Sequence, residues 1–365
     1  MIERVIIKEI KLDSFRSYEF LEIPINKGIT LFYGDNGSGK SSIIESIYFS
    51  LTGKSFRTND TNQLIQNTKN QAQSLLVFED GKTIKITKKK DNKAHILQNR
   101  GEKTDNFTKL VKKHPNCLIE NKEFFFTTAN PEQKRNFLNK ILFYVEQPNA
   151  ILLNEVKKII LQRAGCLKNN DFNQIKYWDE QLIDIEPKVT KLNESLCEKI
   201  NNYLKNSSLT TVFEEKNPWI KDLNIKYDPG YDKSFNFSDI LAKNFDKDRI
   251  MKRTSEGPHK RSFNIFLKNT SASEVLSRGQ QKIISIIFHL IQREIIIEHT
   301  NLTPILLMDD ISSELDKENA NLMLKYLINN SVQTIMTSIS FSHFIEHNEV
   351  FLFHVEHNGE HSNVK

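Results

Sequence analysis

The sequence predicts an α/β fold with a helical lobe inserted part-way along it, and three features of the 365-residue chain carry that prediction. Short apolar runs bounded by turn residues fill the beginning and the last third. A stretch of helical spacing, from about Pro131 to Leu204, separates them. Glycine is scarce, twelve residues where average usage of about 7% would give about 26, yet three of the twelve fall within six positions at a strand-to-helix junction.

Taken in order, residues 1–33 read as two or three strands ending in the apolar run Gly28 to Tyr33, with a helix from Lys40 to about Ser50. From Leu75 to Gln98 apolar and polar residues alternate, with breaks at Asp80-Gly81 and Asp91-Asn92, which predicts an antiparallel meander. Helical spacing follows in Phe137, Ile141 and Val145, then in Leu153, Val156 and Ile160. The stretch Lys216 to Lys233 holds Pro218, Pro229 and Gly230 and breaks the pattern, after which helix and strand signals alternate to the end. The expected organisation is therefore a first lobe from 1–128, a helical lobe from 129–235, and a return to the first lobe over 236–365. There is no repeat, low-complexity tract or sustained heptad.

Composition bounds the function. An apolar fraction of 38% and a charged fraction of 27% are globular values, and no window approaches the ~20 apolar residues of a membrane span. Met1 to Ile10 interleaves Glu3, Lys8 and Glu9 with Ile and Val, which is strand alternation and not an export signal. Cys117, Cys166 and Cys197 have no paired spacing, so neither a disulfide framework nor a zinc site is indicated, and a reducing cytoplasm is expected. A net charge of +5 leans basic without deciding a partner.

The sharpest motif is Gly34-Asp35-Asn36-Gly37-Ser38-Gly39-Lys40-Ser41, which matches G-x-x-x-x-G-K-[ST] between a predicted strand and a predicted helix. Its backbone N–H groups, with Ser42 in the first helical turn, are suited to cradle the phosphates of ATP. Lys40 is placed to reach the terminal phosphates, and the Ser41 hydroxyl to ligate Mg²⁺. Near the other end, Pro304 to Met308 reads as a buried strand delivering Asp309 and Asp310 at its carboxyl end, the ligand position of open α/β sheets.

These two elements frame Leu276-Ser277-Arg278-Gly279-Gln280-Gln281-Lys282, which resembles the ABC signature, with Arg278 where transporters usually carry glycine. The resemblance implies a P-loop ABC-type ATPase head, a mixed sheet plus an antiparallel β subdomain with an inserted helical lobe. It implies that Ser277, Gly279 and Gln280 close on the γ-phosphate of an ATP held by another subunit. By the same resemblance Asp309 holds Mg²⁺, Asp310 orients the attacking water, and Ser313 to Asp316 is the D-loop. Asp310 stands where transporters more often carry glutamate, and its shorter reach implies slow turnover.

The gap from Ser41 to Ser277 is too long for a compact transporter ATPase and too short and non-heptad for an SMC-type arm. An intermediate insertion is what RecF proteins carry, and the chain resembles that family over nearly its whole length. The resemblance rests on Phe15-Arg16-Ser-Tyr18, Leu51-Thr-Gly53, Ser55-Phe-Arg-Thr58, Gln133 to Leu138, Gln162-Arg163, Trp178-Asp179 and Gly257-Pro-His259. It implies a cytoplasmic protein of DNA replication, repair and the SOS response. In this family an ATP-bound homodimer clamps DNA at single-strand gaps and promotes RecA loading with RecR and RecO. Arg16 either approaches the nucleotide phosphates, as the matching arginine does in related heads, or forms a surface ion pair. Departures are Lys260-Arg-Ser262 after Gly-Pro-His, the segment 120–126, and Ala164. Thr337 and Ser338 stand where a transporter carries its switch histidine, a histidine that the RecF family likewise lacks.

Competing readings are the ATPase subunit of an ABC transporter, which needs a membrane partner, and a non-hydrolysing ATP-gated scaffold, which Asp310 argues against. The lysines Lys82, Lys85, Lys88, Lys89, Lys90 and Lys93 project from the meander as a solvated strand edge or a phosphate-contacting tract. His343-Phe-Ile-Glu-His347 matches a zinc-peptidase pattern but has no third ligand, and ordinary helix-face histidines account for it.

Overall fold

The computed structural model of the chain describes residues 2–98, 102–104, 106–120, 126–145, 147–311, 315–340 and 348–365. The chain divides into two units, Met1–Phe124 with Arg278–Lys365, and Phe125–Ser277.

In the first unit the short β1 (Glu3–Arg4) is followed by β2 (Ile7–Phe15) and β3 (Tyr18–Pro24), built by apolar alternation, then by β4 (Ile29–Tyr33), a continuous buried run, and α1 (Lys40–Thr52) follows the glycine-rich turn. Next come β5 (Gln71–Phe78), β6 (Thr83–Lys89), β7 (His95–Gln98), β8 (Glu102–Thr104), α2 (Phe107–Lys113) and β9 (Asn116–Ile119). One sheet is antiparallel, in the order β3-β2-β5-β6-β7-β8. Its inward side chains, such as Ile10, Leu12, Leu76, Ile84 and Ile86, are buried against α1.

The second unit holds α3 (Pro131–Val145), α4 (Gln147–Asn169), α5 (Phe172–Asn206), α6 (Ser208–Glu214), β10 (Leu223–Asp228), α7 (Phe237–Lys243), α8 (Phe245–Met251), β11 (Ser262–Leu267), β12 (Thr270–Ser271) and α9 (Ala272–Val275). The expected return to the first lobe at 236 is corrected here, because the second unit runs on to Ser277. Two interactions keep the chain there. β11 pairs antiparallel with β10 from Leu223↔Leu267 to Asp228↔Ser262, and Phe237, Ile240 and Leu241 share one apolar core with Val156, Leu182 and Val189. Beside that core the Arg163 side chain, fully buried, donates from Nε to Asp179 at 2.5 Å, and from Nη1 to Asp248 at 2.6 Å and to Thr254 at 3.1 Å. The sequence pairs Gln162-Arg163 and Trp178-Asp179 are thus two sides of one internal charge cluster.

Back in the first unit, α10 (Arg278–Thr300), β13 (Leu302–Thr303), β14 (Ile305–Met308), α11 (Lys317–Asn329), β15 (Thr334–Ser338), β16 (Val350–His357) and β17 (Ser362–Val364) complete the fold. The second sheet runs β17-β16-β4-β15-β14-β9, with every neighbouring pair parallel except β16 and β17. The carboxyl ends of β4, β14 and β15 therefore share one edge. Among the described residues no helix is long and apolar enough to cross a membrane.

The lysine tract needs one correction. Lys88 does not project: alternation places it inward with Ile84 and Ile86, and it is 3% exposed. Its ammonium donates to Asn62 Oδ1 at 2.7 Å and to the carbonyls of Lys89 at 2.8 Å and Asn92 at 2.6 Å, closing the β6–β7 turn. Lys82, Lys89, Lys90 and Lys93 are exposed, and Lys82 pairs with Asp80.

The Arg163 cluster gives a stability prediction. Arg163→Leu leaves two acids facing an apolar side chain, a change that costs about 3 to 5 kcal/mol when a buried pair loses one partner. Both tryptophans, Trp178 and Trp219, lie in the second unit. Tryptophan fluorescence during urea unfolding should therefore show an earlier transition in the variant, and an unshifted midpoint contradicts the assignment.

Candidate nucleotide-binding site

The turn from Gly34 to Ser41 leaves β4 and enters α1 with the backbone of Gly34, Gly37 and Gly39 at φ 150°, 82° and 112°. At Gly39 the requirement is steric as well as conformational. A Cβ there would meet the Ser362 side chain and, at 2.9 Å, the Tyr18 hydroxyl, while a Cβ on Gly34 would run into the Val355 carbonyl. The β16–β17 hairpin thus braces the loop from behind, and Ser362 is itself tied to Ser17 by N–H to carbonyl at 3.0 Å and hydroxyl to hydroxyl at 2.7 Å. Gly39 caps α1 without a side-chain hydrogen bond, so the helix keeps first-turn N–H groups for an anion. In the same turn the Ser38 hydroxyl is buried and has no hydrogen-bond partner among the described residues.

Lys40 is 7% exposed, and its ammonium donates to the Gly34 and Asp35 carbonyls, both at 2.7 Å. Burial lowers its pKa against the opposing pull of Asp310, Asp309 and Asp35. The lysine is thus held within the loop by two neutral acceptors, facing three acids.

The acids come from the edge that the parallel register creates. β14 ends at Met308, opposite Met336 of β15 and Ile119 of β9. The Asp309 N–H donates to the Ile119 carbonyl at 2.9 Å, and its carboxylate accepts from the Thr337 hydroxyl at 2.8 Å. Burial raises the Asp309 pKa, against the donors Ser41 and Thr337 and the charge of Arg57. Asp310 has φ 53°, a left-handed backbone uncommon outside glycine, and its N–H donates to the Thr337 hydroxyl at 2.8 Å. A cavity of about 170 Å³ unites these groups, lined by Asn36, Gly37, Gly39, Lys40, Ser41, Ser42, Arg57, Asp310 and Thr337 among others.

Arg16 stands in an ion pair beside this space. Its partner is Glu45 of α1, which is fully buried, and the contact is bidentate, Nε to Oε2 at 2.8 Å and Nη2 to Oε1 at 2.7 Å. Glu45 also accepts from Ser55 at 2.5 Å and lies 3.5 Å from the Arg57 guanidinium. Such charge-assisted bonds offset the cost of burying a carboxylate. Arg16 and Arg57 line a second cavity of about 640 Å³ with Ser17, Ser42, Gln63, Gln66, Asn67 and His361, adjoining the first through Ser17, Ser42 and Arg57. Gln66 Nε2 lies 3.0 Å from His361 Nδ1 at its wall.

The structure brings together Gly34 to Ser42, Asp309 and Asp310. Sequence reasoning missed Arg57, Glu45, Thr337 as a contributor, and the hairpin residues His361 and Ser362. The signal for Arg57 was present in Ser55-Phe-Arg-Thr58, but only as a family pattern without a role. Gly279 and Gln280 open α10 and are not among the described residues lining either cavity, and Ser277 is an exposed residue just before that helix. Ser313, Glu314 and His343 to His347 lie outside the described residues. Asp316 caps α11, accepting from the N–H groups of Glu318 at 3.1 Å and Asn319 at 3.0 Å. Among the described residues, no group of three or more His, Cys, Asp or Glu side chains is arranged to hold a metal ion.

Gly39→Ala is predicted to weaken binding of a fluorescent ATP analogue at least tenfold, because backbone strain of about 1 to 3 kcal/mol adds to the collision with Ser362 and Tyr18. Unchanged affinity in a folded variant contradicts the bracing role of the hairpin.

The family model described as the RecF/RecN/SMC N terminal domain matches residues 6–362. The DNA replication and repair protein RecF of Pseudoalteromonas translucida is 29% identical, covering 96% of this chain and 98% of its own. The protein of the same name from Shewanella oneidensis is 27% identical, covering 95% and 97%. Among solved structures, the recombination mediator protein RecF with ATP in the RecFOR pathway superposes with TM-score 0.79 at 20% identity, covering 100% of this chain and 99% of the other. An Smc head bound to the C-winged helix domain of ScpA superposes with TM-score 0.56 at 17% identity, covering 99% and 97%.

Proposed function

The chain belongs to the RecF/RecN/SMC N-terminal domain family, and from that premise we propose that it is a RecF-type, ATP-dependent DNA repair and recombination protein. The observation that carries the reading is the single cavity onto which the phosphate loop, Lys40, Ser41, Asp310 and Thr337 converge, with Asp309 hydrogen-bonded to Thr337 behind its wall.

The donors suit Mg²⁺, since the Ser41 hydroxyl and the Asp309 carboxylate are hard oxygen groups that face one another. Bound with ATP, the ion supplies positive charge beside the phosphates. The chain's own groups do the rest. Lys40 exchanges two neutral carbonyl acceptors for phosphate oxygens, a stronger charge-assisted contact. N–H groups of the loop and the Ser38 hydroxyl donate to the remaining oxygens, Arg57 faces the same space, and Asp310 orients the attacking water. The adjoining cavity between Gln66, Asn67 and His361 has the position and volume for the nucleoside.

Hydrolysis needs a second chain in this reading. Ser277, Gly279 and Gln280 at the start of α10 complete the site of a partner copy, so that ATP joins a homodimer. That dimer clamps DNA at single-strand gaps and promotes RecA loading with RecR and RecO, and slow hydrolysis resets it. The proposed role draws on the RecF relatives, which are DNA replication and repair proteins, and on the resemblance over nearly the whole chain. The exposed lysines Lys82, Lys89, Lys90 and Lys93 remain candidates for phosphate contacts; Lys88 is withdrawn because its ammonium closes a turn.

Mixing two inactive variants tests the shared site. Lys40→Ala spoils its own phosphate loop, and Ser277→Arg spoils only the site of its partner. A mixed dimer therefore contains one sound site, and equimolar mixing should restore at most roughly a quarter of wild-type phosphate release, provided the sites act independently. If the signature acts within its own chain, the mixture stays silent even though subunits exchange.

A further inference from the structure

We propose that Thr337 is the positioning residue of this site, one hydroxyl that aims the Asp309 carboxylate while it fixes the backbone of Asp310. The inference rests on the reading of Asp309 as a Mg²⁺ ligand and Asp310 as the residue that orients water.

The polarity of the two hydrogen bonds leaves little freedom. A backbone N–H can only donate, so at 2.8 Å from Asp310 N the Thr337 oxygen is an acceptor. A carboxylate can only accept, so at 2.8 Å from Asp309 Oδ1 the same oxygen donates its proton. A hydroxyl performs both tasks at once, whereas an alkyl group performs neither. Thr337 is fully buried and belongs to β15, pairing with Phe32 of β4, so its Cα is held by a central strand of the sheet.

The place of this residue in the ladder explains why a side chain is needed. Backbone pairing between β14 and β15 reaches Met308↔Met336 and goes no further. One residue on, the chain departs from the strand, and Asp310 adopts its left-handed backbone at φ 53°. Asp309 stays tied to the sheet on the other side through the Ile119 carbonyl, and the Thr337 hydroxyl takes over where the β15 backbone stops. Asp309 in turn faces Ser41 at the start of α1, whose hydroxyl helps hold the carboxylate's pKa down. The hydrogen-bonded line therefore runs from the Asp310 backbone through Thr337 to Asp309, which faces the phosphate loop. Thr334, in the same strand and equally buried, shows the contrast: its hydroxyl donates back to the Val332 carbonyl and reaches neither acid.

Partners that orient a metal ligand are worth about 10- to 100-fold in metal affinity or activity. Thr337→Val keeps nearly the same shape and removes the hydroxyl, and Thr337→Ser keeps the hydroxyl and removes a methyl group. The affinity of each for a fluorescent ATP analogue is measured with excess Mg²⁺ and with EDTA, alongside kcat, KM and the melting temperature. Thr337→Val should lose about 10- to 100-fold of the affinity gained on adding Mg²⁺ and lose kcat, with affinity in EDTA unchanged. Thr337→Ser should retain the wild-type gain. The inference is overturned if Thr337→Val keeps the full gain, or if it loses affinity equally with and without Mg²⁺, which is what a packing defect does. Asp309→Asn separates the layers of the argument. If it abolishes the Mg²⁺ gain while Thr337→Val does not, only the inference fails; if the gain survives Asp309→Asn, the reading of Asp309 fails and the inference with it.

Discussion

Strands that run parallel deliver their carboxyl ends to one edge, and in this chain that constraint assembles everything chemical. β4 ends at Tyr33 and turns into the phosphate loop, β14 ends at Met308 and releases the two aspartates, and β15 ends at Thr337 and Ser338 between them. Registers such as Phe32↔Thr337 and Leu307↔Ile335 hold these ends side by side. A parallel ladder needs long crossovers, and these supply α1 and α10. α1 then packs against both sheets of the first unit, so its first turn is immobilised by the core behind it. No residue of that helix is exposed, so it is enclosed along its whole length.

Much of this was legible. Phosphate-loop chemistry is local, since the glycines, lysine and serine that do the work stand within eight positions, and an apolar strand ending in two acids is equally local. The missed contributors share one property, which is that their meaning depends on neighbours far along the chain. Glu45 reads as an ordinary helix residue until Arg16, 29 positions earlier, is seen to close on it. Ser362 lies beside Gly39 only because β17 folds against β16 and its neighbour Ser17 anchors it. Thr337 was noticed for the histidine it is not, and its hydroxyl gained significance only from the register of β14 and β15.

Lys88 and the second-unit boundary are different, because the information was present. Period-2 alternation that turns Ile84 and Ile86 inward also turns Lys88 inward, and charge alone suggested otherwise; a buried ammonium with three oxygen acceptors resolves the conflict. At the boundary, a proline- and glycine-rich stretch resembled a domain linker, yet it leads out of β10, whose antiparallel partner β11 lies beyond it. Turn composition marks a change of direction and not a change of domain. The buried Arg163, held by acids from α5 and α8, then binds both sides of that stretch into one unit.

The central claim is that one chain holds half of each working site and that ATP joins two halves. Light-scattering mass of the Asp310→Asn variant, which binds but does not hydrolyse ATP in this account, tests it most directly. With ATP and Mg²⁺ the mass should be twice the 42.6 kDa of the chain, and with ADP it should equal a single chain. A mass that is the same with both nucleotides, under conditions where both are bound, contradicts the account.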